Sequence, residues 1–120
     1  MNADELKNRT KLFSINIIYL TRSFPKNDEG FIVKKQIIRC ATSVAANYRA
    51  ACRARSTAEF ISKLGIVEEE SDESIFWLEL LEDSGILKTA DVCKMKREAK
   101  ELTAIFAASR KTSKLNSGKY

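Results

Sequence analysis

Proline occurs once in this chain of 120 residues, at position 25, and glycine occurs four times. Proteins built from β-strands need many such residues in their turns, so their scarcity favours long helices joined by few connections. Apolar residues recur at three- and four-residue steps in four segments, as they do along one face of a helix. The sequence therefore predicts an all-α fold.

The limits of four helices are predicted from proline, glycine and capping residues. Pro25 ends the first helix, because the residue before a proline is disfavoured in the helical conformation. Ser56 and Glu59 form a capping box at the start of the third helix, and Gly85 supplies a left-handed residue at its end. The predicted helices span about 4–24, 31–54, 57–84 and 90–110, and a flexible basic tail follows at 111–120. Short connections predict one domain, an antiparallel up-down four-helix bundle.

Histidine is absent from the sequence. Its absence excludes nucleophiles activated by histidine, zinc held by histidine, and the Glu-x-x-His pairs that hold two metals in some bundles. No glycine-rich phosphate loop or nucleophile motif is present in the sequence. We therefore expect no enzymatic activity, no catalytic residue, no metal site and no cofactor.

The cellular location is predicted from what the sequence lacks. No run of apolar residues is long enough to span a membrane, and the polar N-terminus does not resemble a signal peptide. Cys40, Cys52 and Cys93 have no Cys-x-x-Cys spacing, and an odd number of cysteines is typical of free thiols in a reducing compartment. These features predict a cytoplasmic protein that has no membrane partner.

Charge is unevenly distributed along the chain. Residues 1–58 carry 11 basic and 4 acidic side chains, residues 59–93 carry 2 and 10, and residues 94–120 carry 8 and 2. Basic segments of this kind can bind a polyanion. They can also pair with the acidic third helix, within one subunit or between subunits. The sequence leaves these alternatives open.

A row of basic residues is predicted on the second helix, opposite its apolar face. The row spans about 80° at 100° per residue and comprises Lys35, Arg39, Arg49 and Arg53, with Arg55 following at the helix end. Such a row can contact successive phosphates, and arginine adds bidentate contacts. The alternative is the solvated face that every amphipathic helix has. We assign these five residues to a nucleic-acid-binding hypothesis.

Two helices carry more apolar residues than one core-facing stripe requires. The additional residues are Leu12, Ile15 and Tyr19 on the first helix and Phe76, Trp77 and Leu80 on the third. Large exposed apolar patches are rare on monomers, and aromatic residues are common at interfaces. These six residues are therefore the predicted oligomer interface, although a wide core stripe would give the same pattern.

The sequence resembles the bacterial four-helix-bundle proteins related to those encoded by intervening sequences in 23S rRNA genes. The resemblance covers roughly residues 6 to 110. It is carried by Phe24-Pro25, the run from Gln36 to Ser56, Ala58-Glu59-Phe60, Lys63-Leu64, the acidic run Glu68–Glu73 and Trp77–Leu81. The arginine, serine and asparagine of the family's second-helix pattern correspond to Arg39, Ser43 and Asn47.

The resemblance implies an up-down bundle that assembles into a homo-oligomeric ring, a homopentamer. It also implies a link to structured RNA. A distantly similar bundle, the accessory protein of diversity-generating retroelements, binds nucleic acid and a reverse transcriptase through a basic surface, so the resemblance also implies a nucleic-acid-associated protein as a partner. The alternative function is a structural or scaffold module that binds other proteins and no nucleic acid.

Overall fold

The computed structural model describes residues 1–118, which form four helices joined by short connections. The helices are α1 (Ala3–Thr21), α2 (Asp28–Ala51), α3 (Thr57–Asp83) and α4 (Thr89–Asn116). No strand occurs among residues 1–118, and the bundle measures 49 × 23 × 21 Å. The prediction of an all-α four-helix bundle is confirmed.

The connection between α1 and α2 differs from the predicted loop. Helix α1 ends at Thr21, before the predicted limit at 24, and α2 begins at Asp28 rather than at 31. Asn27 caps α2, since its side chain accepts a hydrogen bond from the backbone N–H of Gly30 at 2.9 Å. A Cβ atom at Gly30 would lie 2.0 Å from the carbonyl oxygen of Pro25, so only glycine fits this close turn.

The predicted ends of α3 are correct to within a residue. The hydroxyl of Ser56 accepts a hydrogen bond from the backbone N–H of Glu59 at 3.1 Å, as in a capping box. The Glu59 carboxylate, however, accepts from the N–H of Arg55 rather than from that of Ser56. Gly85 follows the helix with a φ of 76°, the left-handed conformation predicted for it.

Helices α2 and α4 end at different positions from those predicted. Helix α2 ends at Ala51, before the predicted limit at 54. Helix α4 continues to Asn116, so residues 111–116 of the predicted flexible tail are helical. Half-buried Ser113 and Lys114 show that this last stretch still packs against the bundle, although it lacks an apolar period. Residues 119–120 of the predicted tail lie outside the described part of the chain.

Each helix packs against two neighbours in the order α1–α2–α3–α4–α1, and α1 and α4 have the least contact. Antiparallel packing places the starts of α1 and α3 and the ends of α2 and α4 at one end of the bundle. The core between them is apolar, and its fully buried large side chains include Phe13, Ile17, Ile37, Val44, Leu64, Val67, Leu78, Leu81, Val92, Leu102 and Phe106. Burial of these side chains is the main source of stability.

Several buried hydroxyl groups link neighbouring helices, and the sequence pattern did not predict them. The hydroxyl of Ser14 donates to the carbonyl oxygen of Ala41 at 2.8 Å, joining α1 to α2. The hydroxyl of Ser74 lies 3.3 Å from the sulfur of Cys40, joining α2 to α3. A buried polar group without a partner is costly, so these contacts favour one alignment of the helices.

Candidate nucleic-acid interface

The predicted basic row on α2 is divided by its neighbour α3. Arg39 lies opposite two acidic residues, and its guanidinium pairs with Glu70 at 3.1 Å and more closely with Glu73. The indole N–H of Trp77 also donates to Glu73 at 2.9 Å. Desolvation lowers the pKa of Arg39, but the charges of Glu73 and Glu70 outweigh it and raise the pKa overall. Arg39 is therefore already neutralised within the subunit.

Arg49, Arg53 and Arg55 have a different environment at the end of α2. Their side chains are exposed and make no ion pair with any residue in 1–118. Only the backbone N–H of Arg55 is engaged with an acid, Glu59. These three guanidinium groups are therefore available to an external anion.

Two grooves flank Arg49 and Arg53, and both contain further lysines. The groove between α1 and α2, of about 730 Å³, brings Lys7 and Lys11 beside the two arginines. Lys7 pairs with Asp4 at 3.2 Å, whereas Lys11 has no ion pair within the described chain. The groove between α2 and α3, of about 440 Å³, brings Lys63 beside the same arginines.

The structure thus brings together five cations that form no ion pair within residues 1–118: one on each of α1, α2 and α3, and two in the connection between α2 and α3. We call this cluster the basic end, and it consists of Lys11, Arg49, Arg53, Arg55 and Lys63. Sequence reasoning missed Lys11 and Lys63, because it considered only one helix at a time. Lys7 and Lys11 are four residues apart and therefore share a face of α1. A comparison of the basic faces of neighbouring helices would have identified Lys11.

Lys35 lies apart from the basic end. It is 14 residues from Arg49 along α2, which at 1.5 Å per residue is about 21 Å. Lys35 is exposed, and with Phe31, Lys34, Ile38 and Arg39 it lines a shallow groove of about 600 Å³. This groove is mainly apolar, so Lys35 does not continue the cluster at the basic end.

Four of the nine acidic residues of α3 form ion pairs within the subunit. Besides the contacts of Glu70 and Glu73, Glu68 accepts from Arg110 at 2.8 Å and Glu82 from Lys96 at 2.5 Å, both on α4. The hydrogen bond from Lys96 lowers the pKa of Glu82 below its usual value. Of the pairing schemes that the sequence left open, the structure shows pairing of helix against helix for these acids.

The predicted oligomer interface comprises both exposed and half-buried residues. Leu12, Tyr19 and Phe76 are exposed by 55%, 57% and 52%, which is high for large apolar side chains. Ile15 is half-buried.

The other two predicted interface residues pack inward. Trp77 and Leu80 are half-buried against the core, and Trp77 contacts Phe76 edge to face at 5.0 Å between ring centroids. Leu12, Tyr19 and Phe76 therefore form the exposed part of the six.

The serine and the asparagine of the family's second-helix pattern, Ser43 and Asn47, interact with each other. The side-chain amide of Asn47 donates to the hydroxyl and the carbonyl oxygen of Ser43, at 2.8 and 3.0 Å. Both bonds lie within α2, so this pair satisfies its own polar groups.

Within residues 1–118, no cluster of three His, Cys, Asp or Glu side chains could hold a metal ion. None of the four helices is long and apolar enough to cross a membrane.

The chain is similar to known proteins over nearly its whole length. The family model described as 23S rRNA-intervening sequence protein matches residues 4–108. A crystal structure from Bacteroides thetaiotaomicron, described as a protein with unknown function from the S23 ribosomal protein family, is 30% identical to this chain. The two structures align with a TM-score of 0.85 over 92% of this chain and 99% of that one. No curated protein matches the sequence. These matches show that the chain belongs to the 23S rRNA-intervening sequence protein family.

Proposed function

We propose that this protein is a non-enzymatic nucleic-acid-binding protein whose ligand is structured RNA. The basic end, formed by Lys11, Arg49, Arg53, Arg55 and Lys63, is the binding surface. The observation that carries the proposal is that none of these cations forms an ion pair within residues 1–118 and all but half-buried Lys63 are exposed, whereas Arg39 on α2 is neutralised. Release of counterions from the phosphates then favours binding.

The choice of RNA is supported by the family rather than by the geometry alone. The matching family is described as 23S rRNA-intervening sequence protein, and the similar crystal structure is described as a member of the S23 ribosomal protein family. The exposed arginines of the basic end suit contacts with phosphates, which position a nucleic acid without reading its sequence. The proposal places the protein in the cytoplasm, where its three free cysteines would remain reduced.

Self-association is part of the same proposal. Leu12, Tyr19 and Phe76 are large apolar side chains that are each more than half exposed. We propose that they contribute, with Ile15, Trp77 and Leu80, to the interface of a homo-oligomer, and the family resemblance suggests a pentamer. Repeating the basic end in each subunit would strengthen weak phosphate contacts through avidity.

The second candidate is a scaffold module that binds a protein and no nucleic acid. The same exposed apolar residues favour it, because aromatic and aliphatic side chains of this kind commonly anchor protein interfaces. It predicts that purified protein carries no nucleic acid.

Binding of a labelled structured RNA at about 50 and about 200 mM salt tests the proposal, since phosphate contacts weaken steeply over this range. The variant Arg49→Glu/Arg53→Glu should bind more weakly than wild type, and its dependence of log Kd on log salt should be shallower by about two. The control Lys94→Glu/Arg97→Glu makes the same charge change at exposed positions on α4 near the opposite end.

The two double variants separate a local site from overall charge. Weaker binding only in the Arg49/Arg53 variant supports the basic end as the site. Equal affinities in both variants and wild type contradict the assignment. No binding of wild type at 50 mM salt would favour the scaffold function.

A further inference from the structure

Next to the basic end, an open cup of about 630 Å³ occupies the end of the bundle. It lies where α1 and α3 begin and where α2 and α4 end, so all four helices contribute to its wall. Its volume is within the range of about 300–1,000 Å³ that is usual for small-ligand sites.

The floor of the cup is mainly apolar. Tyr48 is almost fully buried there, and its ring is held against Phe106 at 5.4 Å between centroids. Cys52 and Phe60 are half-buried beside it and also line the cup. A tyrosine hydroxyl is uncharged at neutral pH, and burial, with a smaller contribution from Cys52, raises the pKa of Tyr48 further. The floor can therefore pack against a flat apolar ring without any charge.

The rim of the cup is polar and includes one cation. The hydroxyl of Thr57 and the amide of Asn116 are exposed and make no side-chain hydrogen bond within the described chain. An amide can both donate to and accept from the edge of a nucleobase. Arg55 lines this cup and also the groove between α2 and α3, so it connects the cup to the basic end.

We propose that the cup receives one unpaired nucleotide of an RNA whose phosphates lie along the basic end. This proposal rests on the proposed function and names the class of RNA, one with a loop, bulge or single-stranded end. A base inside a duplex cannot leave its stack at no cost, whereas an unpaired base can enter a pocket and present its edge for recognition. The apolar floor would pack against the base, and the polar rim would bind the edge of the base. Arg55, at the junction with the basic end, would bind the phosphate.

Cys52 provides a direct probe, because it lines the cup while Cys93 is exposed on α4, near the opposite end of the bundle. We would measure the rate at which a maleimide modifies each thiol, alone and with saturating amounts of two RNAs of equal length. One RNA is a hairpin with an unpaired loop, and the other is a blunt, fully paired duplex. The hairpin should slow modification of Cys52 and leave Cys93 unchanged, and the duplex should slow neither.

A second measurement uses a variant that fills the cup. Ala3 is exposed at the first position of α1 and lines the cup, so Ala3→Trp adds bulk there with no change of charge. In wild type, the hairpin should bind about tenfold more tightly than the duplex, as expected for one stacked base. The variant Ala3→Trp should lose this difference, and Ala90→Trp, at an exposed position near the start of α4, should keep it.

The outcomes separate this inference from the proposed function. Salt-sensitive binding of both RNAs with equal affinity, and with equal modification of Cys52, overturns the cup and leaves the basic end as the RNA-binding surface. Absence of any salt-sensitive RNA binding overturns the proposed function, and the cup proposal falls with it.

Discussion

The two halves of α2 look equivalent in the sequence and differ in the structure. Arg39 in the first half faces Glu70 and Glu73 on α3 and forms ion pairs with both. Arg49 in the second half shares a groove with Lys63 and Glu59 of α3, and it has no ion pair within residues 1–118. The charge of the neighbouring residues on α3 therefore decides whether an arginine forms an ion pair within the subunit or is available to a ligand.

This difference shows that a charged stripe on one helix does not identify a binding surface. The electrostatic potential of a side chain depends on every charge within a few ångströms, including those of the neighbouring helices. For the first half of α2, the neighbour cancels the charge. For the second half, Lys11 and Lys63 on the two neighbours add to it, although Asp4 and Glu59 line the same grooves. Reversing these neighbours should interconvert the two halves.

The largest effect is expected when the second half is made to resemble the first. The substitution Lys63→Glu removes one cation and places a carboxylate beside Arg53, as Glu70 lies beside Arg39. Two phosphate contacts should be lost, so RNA affinity at about 50 mM salt should fall at least about tenfold and the salt dependence should become shallower by about two. Titration of a labelled RNA at several salt concentrations measures both quantities.

The substitution Lys94→Glu is the matched control, because it makes the same charge change at an exposed position on α4. If it weakens RNA binding as much as Lys63→Glu does, net charge governs affinity and the distinction between the two halves has no functional meaning.

A smaller effect of opposite sign is expected when the first half is released. The variant Glu70→Gln/Glu73→Gln leaves the guanidinium of Arg39 without its ionic partners. RNA affinity should rise, with a salt dependence steeper by about one. The free energy of unfolding in urea should fall by at most about 1 kcal/mol, since the Arg39 side chain is half exposed and solvent screens the pair.

The control for this variant is Glu69→Gln/Asp72→Asn. It also removes two acids from α3, but both side chains are exposed and neither pairs with an arginine in the described chain. An equal gain in RNA affinity from both variants would attribute the effect to net charge rather than to release of Arg39.

The smallest effect concerns the burial of Tyr48 behind the second half of α2. Burial raises the pKa of Tyr48 above its usual value of 10.0. Above pH 10 the unfolded chain loses this proton while the folded chain keeps it, so the stability contribution is present below pH 10 and is lost as pH rises. The variant Tyr48→Phe should therefore lose less stability than wild type between pH 8 and pH 11.

Urea denaturation at the two pH values measures this loss, and Tyr19→Phe is the control because Tyr19 is exposed. An alkaline loss of stability that is the same in wild type and Tyr48→Phe would show that Tyr48 does not titrate as a buried group.

Much of the fold could be predicted from local features of the sequence. Ser56 and Gly85 act within one turn of the helix that they delimit, so their roles follow from the residues themselves. The start of α2 was missed because Asn27 was interpreted as part of a loop, although it is a good helix cap. The last turns of α4 were missed because they lack an apolar period and pack through half-buried polar residues.

The candidate site could be predicted only in part. Arg49, Arg53 and Arg55 were identified from their spacing along the predicted second helix. The structure leaves them exposed, but α2 ends at Ala51, so Arg53 and Arg55 lie in the connection that follows it. The engagement of Arg39 could not be foreseen, because it depends on which turn of α3 lies opposite each turn of α2. The acidic and basic residues of α3 share one edge of the helix, and the sequence alone does not give their distance from α2.

The buried hydroxyls at the centre of the bundle contribute to the alignment of α2 with its neighbours along the bundle axis. Ser74 meets Cys40 on one side of α2, and Ser14 meets the carbonyl of the next residue, Ala41, on the other. Near its midpoint, α2 is thus hydrogen-bonded to both of its neighbours at almost the same height along the bundle. Sliding α2 by one turn, about 5.4 Å, would break both contacts. These two contacts, together with the packing of the apolar core, hold the axial position of α2, and that position decides which arginine meets an acid and which remains exposed to solvent.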